Sequence, residues 1–367
     1  MLSKTIIDLR RGSSLLRRTN TGDRAALARG VIVCLLVFLL FSIVFALSIG
    51  PTSLSIVDLA NYLGSLVGLS DIGSRDRLIL ESIRFPRVAM GILVGAALAV
   101  SGAVMQGLFR NPLADPGIIG VSAGASLGAV SIIVLGATVL QPLVTAFGVF
   151  ALPMAAFCGA LSVTLVLYGL STRGGSTSIA TLLLGGIALG AFAAALTGVF
   201  VYIADDAQLR DLTFWSLGSL AGATWAKTYS ITPVVIATVL LSPFLARGLD
   251  AIAMGEATAH HVGISVQSFK RVAIVGVAAA TGAAVAVSGG IGFVGIIVPH
   301  LLRLIMGPNN RHLLIASALL GASLLLFCDT ISRVIVAPSE LPIGIVTALI
   351  GSPFFMWILL SRRGLAR

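Results

Sequence analysis

Charge is scarce in this sequence: 10% of its 367 residues are Asp, Glu, Lys or Arg, where a soluble domain carries about 25%. There is too little polar surface to cover a water-soluble body of this size, and the mean hydropathy of +1.06 agrees. Cysteine is also sparse. Cys34, Cys158 and Cys328 are an odd number and all sit in apolar runs, which excludes a disulfide framework and leaves them as small packing residues. Lysine occurs only at Lys4, Lys227 and Lys270, and none stands in a Gly-Lys-Ser/Thr loop, so the chain has no phosphate cradle of its own. His260, His261, His300 and His312 lack Cys, Asp or Glu at ligand spacing, so no metal site is expected. No paired carboxylates, Ser/Lys pair or His-x-x-x-His set falls in an apolar run, which argues against an enzyme working within the membrane. Segments of alternating polarity are missing too, and with them a β-barrel.

What the sequence does have is long apolar runs, near 30–50, 86–108, 117–138, 148–169, 179–203, 228–247, 270–288, 292–306, 312–328 and 341–361. A helix needs ~20 apolar residues to cross the hydrocarbon core, and only helices satisfy every backbone group there. The expectation is an all-α membrane protein of about ten transmembrane helices. A basic lead over residues 1–29 would precede one transmembrane domain at 30–361, with a short tail at 362–367. The lead and first run resemble a signal peptide, but the run is long enough to span and others follow, so we read it as an uncleaved first helix.

The positive charges set the orientation. Lys4, Arg10, Arg11, Arg17, Arg18, Arg24 and Arg29 precede the first run, and Arg362, Arg363 and Arg367 follow the last. The positive-inside rule then places both termini in the cytoplasm. On that topology 17 of the 24 Lys and Arg are inside, and Arg75, Arg77, Arg84, Arg87, Arg210, Lys227 and Arg333 are outside. The net charge of +10 is therefore mostly a topology signal, and nucleic acid is not an expected partner. Outside, 208–220 reads as an amphipathic surface helix; inside, 250–267 is the long loop.

Gly91/Gly95, Gly120/Gly124/Gly128 and Gly186/Gly190 recur at the spacing that lets helix backbones approach closely. Gly290-Ile291-Gly292-Phe293-Val294-Gly295 matches a dinucleotide-binding pattern. It links two apolar runs, though, rather than a strand and a helix, and no acidic residue follows at the required distance. A break or re-entrant turn at membrane depth is the better reading. Charges inside the runs are almost absent, which disfavours an ion-coupled secondary transporter. Such a transporter remains the alternative from another class. A path lined by apolar and small polar groups would suit a bulky, largely apolar cargo.

Several stretches resemble the iron-chelate and vitamin B12 importer permeases. They are Arg84-Phe85-Pro86-Arg87, the run Gly95 to Gln106, Asn111-Pro112-Leu113-Ala114-Asp115-Pro116-Gly117, Gly120 to Ala125, Gly290 to Gly295 with Pro299-His300, and Glu340-Leu341-Pro342-Ile343-Gly344. The resemblance covers residues 30–361. It implies the membrane subunit of a type II ATP-driven (ABC) importer in the bacterial inner membrane. Two copies would form the pore, two ATP-binding subunits would dock inside, and a periplasmic binding protein would deliver cargo. The chain itself would carry no cofactor and catalyse nothing, with ATP-Mg held by the partner subunit. By the same resemblance, Arg84, Arg87 and Arg333 would pair with carboxylates of the binding protein. Met254, Gly255, Glu256, Ala259, Val262 and Gly263, in short coupling helices, would seat in the ATPase. The stretch Leu209 to Leu220 looks most like haem-importer permeases, so haem is the expected cargo, with a ferric siderophore or a corrinoid as alternatives.

Overall fold

The structure is a computed structural model that describes residues 21–50 and 54–363. Residues 1–20 of the basic lead and 364–367 of the tail lie outside the described residues. Among the described residues seven helices are long and apolar enough to cross a membrane, and three shorter apolar helices accompany them.

In chain order the elements are α1 (Thr21–Ser48), α2 (Ile56–Ser65), and α3 (Ser74–Ile79), which runs through a π-turn (Leu80–Arg84) into α4 (Phe85–Leu108). A 3-10 turn (Pro116–Ile119) leads to α5 (Val121–Leu135), α6 (Gln141–Phe147) and α7 (Ala151–Ser171). The small hairpin β1 (Thr172–Arg173) and β2 (Ser176–Thr177) joins α7 to α8 (Ile179–Ile203). Next come α9 (Asp206–Leu217), α10 (Trp225–Ala253), α11 (Glu256–His261) and α12 (Val266–Ser288). The chain ends with α13 (Val294–Met306), α14 (Asn310–Val334) and α15 (Ile343–Arg363).

Several boundaries differ from the sequence expectation: the span that holds α4 begins at Ser74, α14 runs to Val334, and two more differ at the end expected to lie inside. Helix α1 starts at Thr21, inside the expected lead, and α10 runs to Ala253, into the expected inside loop. The reason is common to both. A helix is propagated by backbone hydrogen bonds and good helix formers such as Ala, Leu and Arg, and it need not stop where the apolar run stops. The segment 250–267, expected to hold short helices, contains one, α11. At the opposite end, α9 begins at Asp206 behind a capping box of Asp205 and Gln208.

Helix α4 is the hub. In the span that contains it 83% of the residues in the most apolar window are buried, against 17% for α1 and for α8. It packs against α10, α12, α13 and α14, while α5, α7 and α8 form a second group joined to the first mainly through α12. Small residues make this closeness possible. A Cβ on Gly102 would stand 1.9 Å from the Gly295 carbonyl oxygen, and one on Gly95 would stand 2.4 Å from that of Gly321. Residues 289–293 are non-helical, as the glycine-rich link suggests. Phe293 enters α13 with φ +69°, a left-handed conformation uncommon for a side-chain-bearing residue. This break packs on the end of α9, where Ser219 N–H donates to Ser288 O at 2.7 Å.

Candidate functional site

Two polar clusters stand at opposite ends of the bundle. The first gathers the end of α1, the start of α4 and the end of α14. Pro86 sits in the first turn of α4, where its missing N–H is harmless. One residue on, Arg87 is the centre of the cluster. Its Nη2 lies 2.9 Å from Asp329 Oδ1 and its Nη1 2.9 Å from Glu340 Oε1, with a further bond from Nη2 to Glu340 Oε2 at 2.9 Å. Arg333 Nε, one helical turn along α14, stands 3.2 Å from Asp329 Oδ2 as an ion pair. Arg333 Nη2 donates to Ala46 O at 3.0 Å, and Arg84 donates to Leu47 O. Those two carbonyls belong to the last turn of α1, where carbonyls lack helical partners and the helix dipole is negative.

The cluster thus brings together the three arginines singled out from the sequence, but turns them inward. Arg84, Arg87 and Arg333 are 4%, 7% and 4% exposed. An exposed arginine face is not what the isolated chain presents. Carboxylates of the same chain and the end of α1 hold these guanidinium groups, and a partner carboxylate would have to share or displace them. Sequence reading missed the partners. Asp329 and Glu340 are 242 and 253 positions from Arg87, and only the i,i+4 spacing of Asp329 and Arg333 is a local signal.

The second cluster surrounds α11. Gly255, at φ +115°, makes the turn from α10 into α11, and Gly263, at φ +85°, ends it. Gly263 N–H donates to His260 O at 3.0 Å and Ile264 N–H to Ala259 O at 3.0 Å, which together form a Schellman cap. Ala259 is fully buried under the helix, whereas Met254 and Val262 stand out at its two ends, 67% and 62% exposed. Glu256, in the first turn, reaches the Lys270 ammonium at 2.8 Å. Lys270 also donates to Thr177 O at 3.1 Å. Lys270, Thr177 and Gln267 are residues that the sequence analysis did not select. A lone lysine at the edge of an apolar run was the one available sign.

A cleft of about 460 Å³ lies where α9, the 289–293 break and α15 meet. Leu217, Gly290, Gly344, Leu349 and Pro353 line it, with Ser216 and Ser352 as its polar side chains, and no charged residue is among its lining. Cys34 and Cys158 are exposed and Cys328 is buried, all as free thiols.

Comparison with known proteins places this architecture. The FecCD transport family profile matches residues 37–361. The hemin transport system permease protein of Yersinia pestis is 45% identical over 282 residues, 77% of this chain and 83% of that protein. The cobalamin import system permease protein of Halobacterium salinarum is 42% identical over 286 residues, 78% of this chain and 74% of that protein. The vitamin B12 import system permease protein of Shigella boydii is 37% identical over 332 residues, 90% of this chain and 95% of that protein. A solved metal-chelate type ABC transporter in an inward-facing conformation superposes with a TM-score of 0.78 at 28% identity, covering 91% of this chain and 99% of that one.

Proposed function

The chain belongs to the FecCD transport family, and we propose that within it this protein passes haem from a periplasmic binding protein to the cytoplasm. At the coarser level it is a multi-pass inner-membrane permease subunit of an ABC importer, a pore component whose ATP is hydrolysed by a separate subunit. The observation that carries the haem reading is the 45% identity with the hemin permease over 282 residues. The uncharged cleft beside α9 and α15 is compatible with a bulky, largely apolar cargo. A corrinoid is the second reading, favoured by the 37% identity with a vitamin B12 permease over 90% of this chain.

In this reading two copies enclose the path. Helix α8 and the start of α15 carry exposed apolar residues such as Leu184, Ile187, Phe192 and Leu349, which a second copy or lipid would cover. Two ATP-binding subunits, holding ATP-Mg, seat on α11 through Met254, Gly255, Glu256, Ala259, Val262 and Gly263. Nucleotide binding and hydrolysis tilt the two halves so that the path opens to one side at a time. On the outer side, carboxylates of the binding protein compete with Asp329 and Glu340 for Arg87 and Arg333, and with the carbonyls at the end of α1 for Arg84 and Arg333. The deciding experiment is reconstitution in proteoliposomes with the ATP-binding subunit and the binding protein, offering haem, a corrinoid and a ferric siderophore separately. Haem is expected to stimulate ATP hydrolysis and to accumulate inside. Stimulation by the corrinoid alone would transfer the assignment to that cargo. Uptake that persists with a catalytically dead ATPase would remove the ATP-driven reading.

A further inference from the structure

Lys270 is one of only three lysines in the chain and is 2% exposed. A buried ammonium is unfavourable unless it is paired and hydrogen-bonded. Here one partner lies on each of two elements that are far apart in sequence. Glu256 Oε1, at 2.8 Å, belongs to the first turn of α11. Thr177 O, at 3.1 Å, belongs to β2 of the hairpin between α7 and α8. The lysine itself stands in the second turn of α12. Its neighbour Gln267 adds a second tie, accepting the Thr177 N–H at 2.9 Å.

The hairpin is in turn fixed to the helices it joins. Ser178 N–H donates to Ser171 O at 3.0 Å, which closes the end of α7 on the start of α8. Thr172 and Thr177 hydroxyls meet at 2.9 Å across the two strands. Ser178 caps α8 by accepting from Thr181 N–H at 3.2 Å. One ammonium therefore bridges α11 and the α7–α8 hairpin.

We infer that Lys270 is a positioning residue of the transport cycle: a strut that passes movement of α11 to the α7–α8 hairpin. The inference rests on the proposed seating of α11 in the ATP-binding subunit, and it adds the route by which that subunit's motion enters the membrane helices. A strut needs stiffness, and an ammonium buried between a carboxylate and a carbonyl supplies it. The Glu256 side chain is 38% exposed, so a variant at Lys270 leaves a carboxylate that can hydrate.

The test uses the assembled transporter in proteoliposomes, with ATP hydrolysis and cargo uptake measured in the same preparation. Lys270→Met keeps the apolar stem and removes the ammonium. Hydrolysis is expected to stay within about twofold of the parent, while cargo taken up per ATP falls by about tenfold. Glu256→Gln is expected to lower uptake per ATP in the same direction. The double variant should lose less than the sum of the two single losses, because both changes break one strut. Lys270→Arg should restore much of the loss. Two results would overturn the strut: unchanged uptake per ATP in Lys270→Met, or a double variant whose losses simply add. A photo-crosslinking residue in place of Met254 keeps the underlying reading separate. Cross-linking to the ATP-binding subunit together with unchanged uptake per ATP sinks the strut alone, while absence of the cross-link sinks the seating of α11 and the strut with it.

Discussion

Arg87 shows how a residue's partners decide what it can do. It holds two carboxylates in fork geometry, and Asp329 is itself buried. Arg87→Met would leave Asp329 with only Arg333 in a buried site. The expected cost is about 3–5 kcal/mol, read as a lower thermal midpoint in detergent. Glu340→Gln should cost far less, because the Glu340 side chain is 29% exposed and can hydrate. The same variant tests docking. Without Glu340's charge, the guanidinium of Arg87 has one internal competitor fewer, so association with the binding protein should tighten and should weaken more steeply with added salt. Unchanged affinity and salt dependence would argue against arginine docking. The Arg84-Phe85-Pro86-Arg87 motif was legible in the sequence, as was the end of the molecule it occupies. Its inward orientation was not, because the carboxylates that hold it come from α14 and from the loop before α15.

At the scale of elements, glycines that look alike in sequence separate in the fold. Gly186 and Gly190 share the small-xxx-small spacing. A Cβ on Gly186 would meet Ile118 O at 2.0 Å, whereas one on Gly190 would meet nothing within 4 Å. Gly186→Ala is therefore expected to destabilise by about 1–3 kcal/mol through forced separation of backbones. Gly190→Ala should be neutral or stabilise by about 0.5–1 kcal/mol through helix propensity. Thermal unfolding of the two variants side by side decides it, and equal effects would contradict the packing. Helix α11 offers a second case. Gly255 and Gly263 sit at positive φ, so Gly263→Val should loosen the helix end and speed hydrogen exchange of the amides at Gly263 and Ile264. The apolar runs revealed nearly every long helix. They could not show where α1 starts or where α10 ends, because helical hydrogen bonding continues beyond the lipid-like residues.

For the whole molecule, the two polar clusters at opposite ends fit a subunit that communicates with soluble partners on both sides of a membrane. The long-range prediction is energetic dependence. Uptake should follow ATP supplied on the α11 side and ignore an imposed proton or sodium gradient. Gradient-driven uptake without ATP, in vesicles of the purified chain, would instead support the secondary-transporter alternative. The haem assignment is tested by the cargo panel in proteoliposomes that also hold the ATP-binding subunit and are supplied with the binding protein.

The sequence alone determined the membrane class, the approximate number of spans and the family. These depend on composition and on local order along the chain: runs long enough to cross a bilayer, and motifs whose residues are contiguous. The tertiary structure decided which charges are available and which are already engaged. Asp329 neutralises Arg87, and Lys270 joins α11 to the α7–α8 hairpin, only because helices distant in sequence pack side by side. An ion pair is a property of two positions in space, and no local pattern in the chain carries it. Charge scarcity gives these pairings their weight. With 10% of residues charged, each buried guanidinium or ammonium needs a specific partner, and that partner constrains where its helices lie.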